Sequence, residues 1–158
     1  MIDIIIAAAS DTGLADPSTA FADHQARIES LRPANKQTLF DVLAAAGITQ
    51  TVVSFDGYGD SGQVEDITAR SQDGEVPLPE VQVAIACPAW GCAHVETRRM
   101  TVADALEHLV YDCLAEAHPG WENSDGAFGS FTFDVAARTI TLDHNNRYVA
   151  VESSSQTF

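Results

Sequence analysis

Positive charge is what this chain has least of. Only eight of its 158 residues are lysine or arginine, against 23 aspartates and glutamates, for a formal net charge of −15. A surface of that sign repels phosphate and argues against direct nucleic-acid binding. Cysteine is scarce too. The three, at 87, 92 and 113, are an odd number that builds no disulfide framework and fits a reducing compartment. No stretch approaches the ~20 consecutive apolar residues that a membrane-spanning helix needs. The opening run, Met1-Ile2-Asp3-Ile4-Ile5-Ile6-Ala7-Ala8-Ala9, has no basic region and carries Asp3, so it makes a poor signal peptide. These absences point to a soluble, cytoplasmic protein without a membrane partner. Missing as well are a G-x-S-x-G elbow, a phosphate-binding loop, a dinucleotide fingerprint and an H-E-x-x-H pair. With no such motif, a non-enzymatic role is expected ahead of an enzymatic one, and no catalytic residue is assigned.

The length suits a single domain over 1–158, and a hydrophobic fraction of 46% is enough for a full core. Two glycine-spaced acidic stretches dominate the middle and later parts of the chain. The first runs Phe55-Asp56-Gly57-Tyr58-Gly59-Asp60-Ser61-Gly62-Gln63-Val64-Glu65-Asp66, and the second Gly120-Trp121-Glu122-Asn123-Ser124-Asp125-Gly126-Ala127-Phe128-Gly129. Glycine frees the backbone to turn, and aspartate bonds turn amides.

Periodicity places elements around them. Residues 2–9 open a strand or a short helix. Asp16 and Pro17 suit a helix start, and Phe21, His24, Ile28 and Leu31 recur at helical spacing, which predicts a helix over 17–31 that ends at Arg32-Pro33. Asn35 then caps a second helix over 36–46, closed by Gly47, with Ile48 folding back on it. β-branched residues make 51–55 a strand, with Val64 and Ile67 on its return and Asp56 to Gly62 as the connecting loop. Residues 72–80 form an exposed excursion and 81–85 a short edge strand. Thr101 caps a helix to about 116, striped by Val102, Leu106, Leu109, Val110 and Leu114. Alternation gives strands at 130–135 and 138–143, with 147–151 extending the sheet and a frayed tail from Ser153. The expected class is α+β: an antiparallel sheet of four or more strands in two hairpins, with helices on one face. It divides into an N-terminal helical pair over about 17–46, and the sheet and long helix over about 50–152.

Several residue groups could carry chemistry. Asp56, Asp60, Glu65 and Asp66 cluster near a turn, where carboxylates bind hard cations, although their spacing is not that of an EF-hand and a hairpin turn explains the same residues. Trp121 beside Glu122 could anchor a partner or pack at the core edge. Glu122 and Asp125 could pair with Asp56 or Asp60 as a carboxylate dyad if the two stretches meet. Cys87, Cys92 and His94 offer three zinc ligands, with His108, Cys113 or His118 as a fourth, but zinc sites usually show two close cysteine pairs and here there is one. Cys92 with His94 or His144 could form a nucleophile pair. His144, in Asp143-His144-Asn145-Asn146, could act as an acid or base, or simply belong to a polar turn.

Taken together, Asp56-Gly57, Gly59-Asp60-Ser61-Gly62-Gln63, Glu65, Tyr111, His118, Gly120-Trp121-Glu122, Asp125-Gly126-Ala127, Gly129, Asp143-His144-Asn145 and Arg147 resemble a family of small bacterial proteins of unknown function. The likeness spans about residues 50–152 and leaves out the helical pair. It brings no activity, and so no catalytic residue. Its loose association with plasmids and phage-like elements implies an inhibitor of a host defence nuclease, of anti-CRISPR kind. Such a protein offers carboxylates where a nuclease expects phosphates. The expected function is therefore an acidic interaction protein that occupies a basic surface, such as a nucleic-acid-handling complex presents. Asp56, Tyr58, Asp60, Glu65, Asp66, Trp121, Glu122 and Asp125 are the expected partner-binding residues. The alternative is a metal-dependent or acid/base enzyme built from the loop carboxylates with His118 and His144. No cofactor is expected beyond zinc at the cysteines.

Overall fold

The computed structural model describes residues 17–158. The expected element over 2–9 and the cap at Asp16 lie outside them. The order is α1 (Pro17–Ala45), β1 (Gln50–Tyr58), β2 (Ser61–Ser71), β3 (Gly74–Val76), β4 (Gln82–Pro88), β5 (Val95–Thr101), α2 (Val102–Ala117), β6 (Ala127–Asp134) and β7 (Thr139–Asn146). The fold is α+β. Five antiparallel strands form one sheet in the order β3-β2-β1-β6-β7, and β4 and β5 form a separate hairpin. No helix among the described residues is long and apolar enough to cross a membrane.

The expected helical pair is one helix. Arg32-Pro33 does not end it, and α1 runs straight through with Pro33 inside. Proline removes the amide that would bond the Glu29 carbonyl and disfavours helix at the preceding residue. Tertiary contacts override that cost. Just past the proline, Leu39, Phe40 and Leu43 are fully buried. Arg32 reaches Glu116 of α2 at 2.5 Å. Asn35 is no cap. It is buried within the helix, where its amide donates to the Ala86 carbonyl and accepts from the Ala86 amide, both at 2.9 Å. One side chain thus satisfies both backbone groups of a β4 residue, as a neighbouring strand would. The C-terminal end is as expected: Gly47 takes φ 76°, and the Ile48 amide returns to the Leu43 carbonyl at 3.0 Å.

Alternation along β1 puts Thr51, Val53, Phe55 and Gly57 on the buried face. Register places Phe131 beside Val53 and Gly129 beside Phe55 on β6, and then Leu142 and His144 on β7. Against this face pack the C-terminal half of α1 and the stripe of α2, with Leu106, Leu109 and Leu114 fully buried. Thr101 caps α2 as its sequence indicates, with its hydroxyl accepting from the Asp104 amide. The 72–80 excursion contains the short β3. Residues 147–151 form no strand, so the sheet stops at β7. The unexpected element is β5. Nearly every residue in it is exposed, so it carries no alternation to reveal it.

Candidate interaction site at the loop end of the sheet

The two glycine stretches meet. Much of the first is strand rather than loop: β1 continues to Tyr58, β2 begins at Ser61, and only Gly59 and Asp60 turn between them. Both take positive φ, 58° and 66°, as a tight type I′ hairpin requires. The second stretch is a true loop. It folds on itself through Trp121 to His118, Asn123 to Gly120 and Gly126 to Asn123, with Ser124 at φ 59°. Backbone bonds then join the two: the Gly59 amide donates to the Ser124 carbonyl and the Asp60 amide to the Glu122 carbonyl, each at 3.0 Å.

The glycines that do not turn the chain allow close approach. Gly57 and Gly62 are cross-strand partners, and the Trp121 indole lies directly over both, where a methyl group on either would strike the ring. Trp121 is half-buried and meets Phe55 edge-on at 5.4 Å between centroids. Gly126 passes so close to the Gly57 carbonyl that a side chain there would collide with it. The indole is therefore a seal between sheet and loop, held by packing on the backbone.

Across the sheet from the indole, Arg147 secures the tip of β1. Its amide donates to the Gly126 carbonyl at 2.9 Å, and its Nη1 lies 2.7 Å from Asp56 Oδ1 and 3.2 Å from the Gly57 carbonyl. The guanidinium stacks over Phe128, 4.7 Å from the ring centroid. The bond to the Asp56 carboxylate raises the pKa of Arg147 further.

Most of the expected partner-binding residues gather here. Tyr58 projects into solvent, 71% exposed. Asp60 is at the turn tip and Asp125 at the loop tip, both exposed, while Glu122 is half-buried. Asp56 and Glu65 line one open hollow of about 360 Å³ with Tyr58 and Gln63. A second, of about 440 Å³, is lined by His118, Trp121, Asp125 and Arg147. Glu65 owes its position to a bulge. The register slips between Ser54 and Phe55, and the Val64 amide bonds the Tyr111 hydroxyl of α2 at 2.8 Å. Asp66 sits farther along, opposite Ser54, and accepts from the Thr68 hydroxyl. Asp56 is the exception in availability, because Arg147 occupies it.

His118 and His144, which the enzymatic alternative places in one site, are in direct contact. His118 caps the C-terminal end of α2, and its ring stacks on that of His144 at 3.5 Å between centroids and 5° between planes. His144 faces inward because its strand partner is Gly129, which lets Phe55 approach from the other side at 6.2 Å. Its Nε2 is shielded from solvent and has no hydrogen-bond partner among the described residues. Burial, and then the neighbouring His118 ring, hold His144 below the ordinary imidazole pKa, which favours its neutral form.

The cysteines separate. Cys87 is buried on β4, with its Sγ 3.7 Å from His108 Nε2, and burial raises its thiol pKa. Cys92 and His94 are exposed in the turn between β4 and β5. Among the described residues, no three histidine, cysteine, aspartate or glutamate side chains are placed to hold a metal ion.

Residues 31–158 match a family of unknown function, DUF6878. The chain belongs to that family. The match begins inside α1 and takes in every strand, so it covers the loop junction, the histidine pair and Arg147 together. No curated protein and no solved structure matches the chain.

Proposed function

We propose that this DUF6878 protein is a non-enzymatic acidic interaction protein whose loop end docks on a basic protein surface. The observation that carries the reading is the fusion of the two glycine stretches by backbone bonds, which presents Asp60, Glu65 and Asp125 with the exposed Tyr58 as one preformed surface. Preformation lowers the ordering cost of binding. Carboxylates ringing an aromatic residue suit a partner rich in lysine and arginine, because the ring face attracts cations as the carboxylates do. With a net charge of −15, encounter with such a partner is steered from a distance. A nucleic-acid channel is the basic surface that best fits carboxylates standing in for phosphates. The fuller form of the proposal is a mobile-element inhibitor of a defence nuclease, of anti-CRISPR type.

The test is a pull-down with tagged protein at low salt, followed by salt elution and identification of what is released. A basic nucleic-acid-handling partner should come off as salt rises. Asp60→Asn with Asp125→Asn should slow its association while leaving the protein folded. Capture that is indifferent to salt would sink the proposal.

One observation favours the enzymatic alternative: a shielded imidazole, His144, stacked on a second histidine beside an open hollow. On that reading His144→Gln would abolish turnover. An interaction protein would keep its partner.

A further inference from the structure

Away from the loop end, β5 is an open strand edge. It pairs with β4 on one side, and no strand among the described residues pairs with the other. Asn35 settles which of its backbone groups are free. The Ala86 amide and carbonyl both bond Asn35, so they face away from β5. In an antiparallel pair, the residue opposite points its own two groups the other way. That residue is Thr97, and the register runs unbroken from Gln82–Thr101 to Pro88–Val95. Val95, Thr97 and Arg99 therefore turn their amides and carbonyls outward, and all three residues are exposed. Unpaired edges are usually blunted by proline, a bulge, brevity or charge. Over its seven residues β5 has only the last, in Glu96, Arg98 and Arg99. That charge does not blunt the edge against its own kind, because it is self-complementary.

We propose that β5 joins two copies of this chain edge to edge, antiparallel, about a two-fold axis at Thr97. In that register Thr97 faces Thr97 and Val95 faces Arg99 on either side, so the outward backbone groups meet as hydrogen-bonded pairs. The same register sets Glu96 opposite Arg98 twice. Those are the non-hydrogen-bonded positions, where side chains stand closest. Within one chain the two side chains are 3.9 Å apart and each is more than half exposed, so both are available to a partner. The other long edge, β7, has Asp143 as its only carboxylate and neither lysine nor arginine, so it gains no ion pair by meeting itself. Two chains of −15 repel at long range, yet at about 0.15 M salt charges more than about 8 Å apart are largely screened. At the contact itself, two arginines stand to one glutamate. The inference is independent of the docking proposal, since it involves none of the loop-end residues.

Analytical ultracentrifugation of the full chain, from micromolar to millimolar concentration at about 0.15 M salt, tests it. Reversible monomer–dimer exchange is expected. Thr97→Pro removes an amide that bonds nothing in β4, so the hairpin stays folded by circular dichroism while the dimer is lost. Glu96→Arg and Arg98→Glu each set like charges opposite one another twice, and each should weaken the dimer about tenfold or more. Mixing those two single variants should restore association as a heterodimer, because every facing pair is then opposite in charge. Glu96→Arg with Arg98→Glu in one chain should restore the homodimer. A monomer at every concentration, a dimer indifferent to Thr97→Pro, or single variants that do not recover on mixing would each overturn the assignment.

Discussion

Replacing Gly126 with alanine should do far more damage than the same change at Gly59, although both glycines have positive φ. At Gly59, φ is 58° and the space a methyl group would enter is empty. The cost there is the left-handed backbone alone, about 1–2 kcal/mol. At Gly126, φ is 78° and the added methyl would collide with the carbonyl of Gly57, which is backbone in the middle of a sheet and cannot swing away. Relief requires the loop to lift off β1. That movement threatens the bonds from Gly59 to Ser124, from Asp60 to Glu122 and from Arg147 to Gly126. Three such bonds at about 0.5–1.5 kcal/mol each, added to the strain, bring the loss to about 3–6 kcal/mol. Stability of roughly 5–15 kcal/mol is typical, so Gly126→Ala should be close to unfolding while Gly59→Ala stays folded. Gly129→Ala separates the two causes. Its φ is not in the left-handed region, yet a methyl group there would strike the Asp143 carbonyl, so its cost is steric only. Urea denaturation of the three variants, compared at equal m-value, reads the differences. If Gly126→Ala and Gly59→Ala prove equally stable, the two stretches are not locked together and the preformed surface is lost with them.

Other consequences follow from buried polar groups. Because the folded-state pKa of His144 is lowered, its protonation opposes folding: above the ordinary value of 6.5 both states are neutral and nothing is lost. As pH falls below 6.5, the unfolded chain takes up the proton first and stability declines until the folded-state pKa is reached. The half-exposed ring moderates the effect. Denaturation at a series of pH values should show this slope, and His144→Gln should flatten it. Asn35→Leu should cost about 2–4 kcal/mol, because it strands the amide and carbonyl of Ala86 together, and chemical denaturation measures it. Pro33→Ala restores a helix amide opposite the Glu29 carbonyl and should raise the melting temperature, with about 3 kcal/mol as the ceiling.

How much of this was readable in advance depends on where each signal resides. The helix α2 was legible because its cap, its apolar stripe and its stop all lie within one segment, from Thr101 to Gly120. The hairpins were legible for the same reason, since alternation is local. Pro33 misled because its cost is local while its compensation comes from Ala86 and Glu116, which are far along the chain. For β5, the residues Glu96, Thr97, Arg98 and Arg99 are all exposed, so no buried face imposes a period. The candidate residues themselves were visible as glycine-spaced acids. What each glycine lies against was not visible, because the indole over Gly57 and Gly62 and the carbonyl beside Gly126 are set by pairing between distant segments. Arg147 gave no hint of its role, as nothing about an arginine after the last strand indicates that it will hold Asp56.

The central position of β1 has a consequence for synthesis on the ribosome. Its partner on one side, β2, follows at once, but its partner on the other, β6, is made only after the β4–β5 hairpin and α2. In that interval the β1–β2 hairpin emerges with a bare edge, Val52, Val53 and Phe55 among its residues, open to pairing with a neighbouring chain. Asp56 on β1 and Glu65 and Asp66 on β2 emerge with that edge and put negative charge along it. Two nascent hairpins approaching each other would bring like charges together, so acidity at this end can guard the chain from self-association before it has any partner to meet.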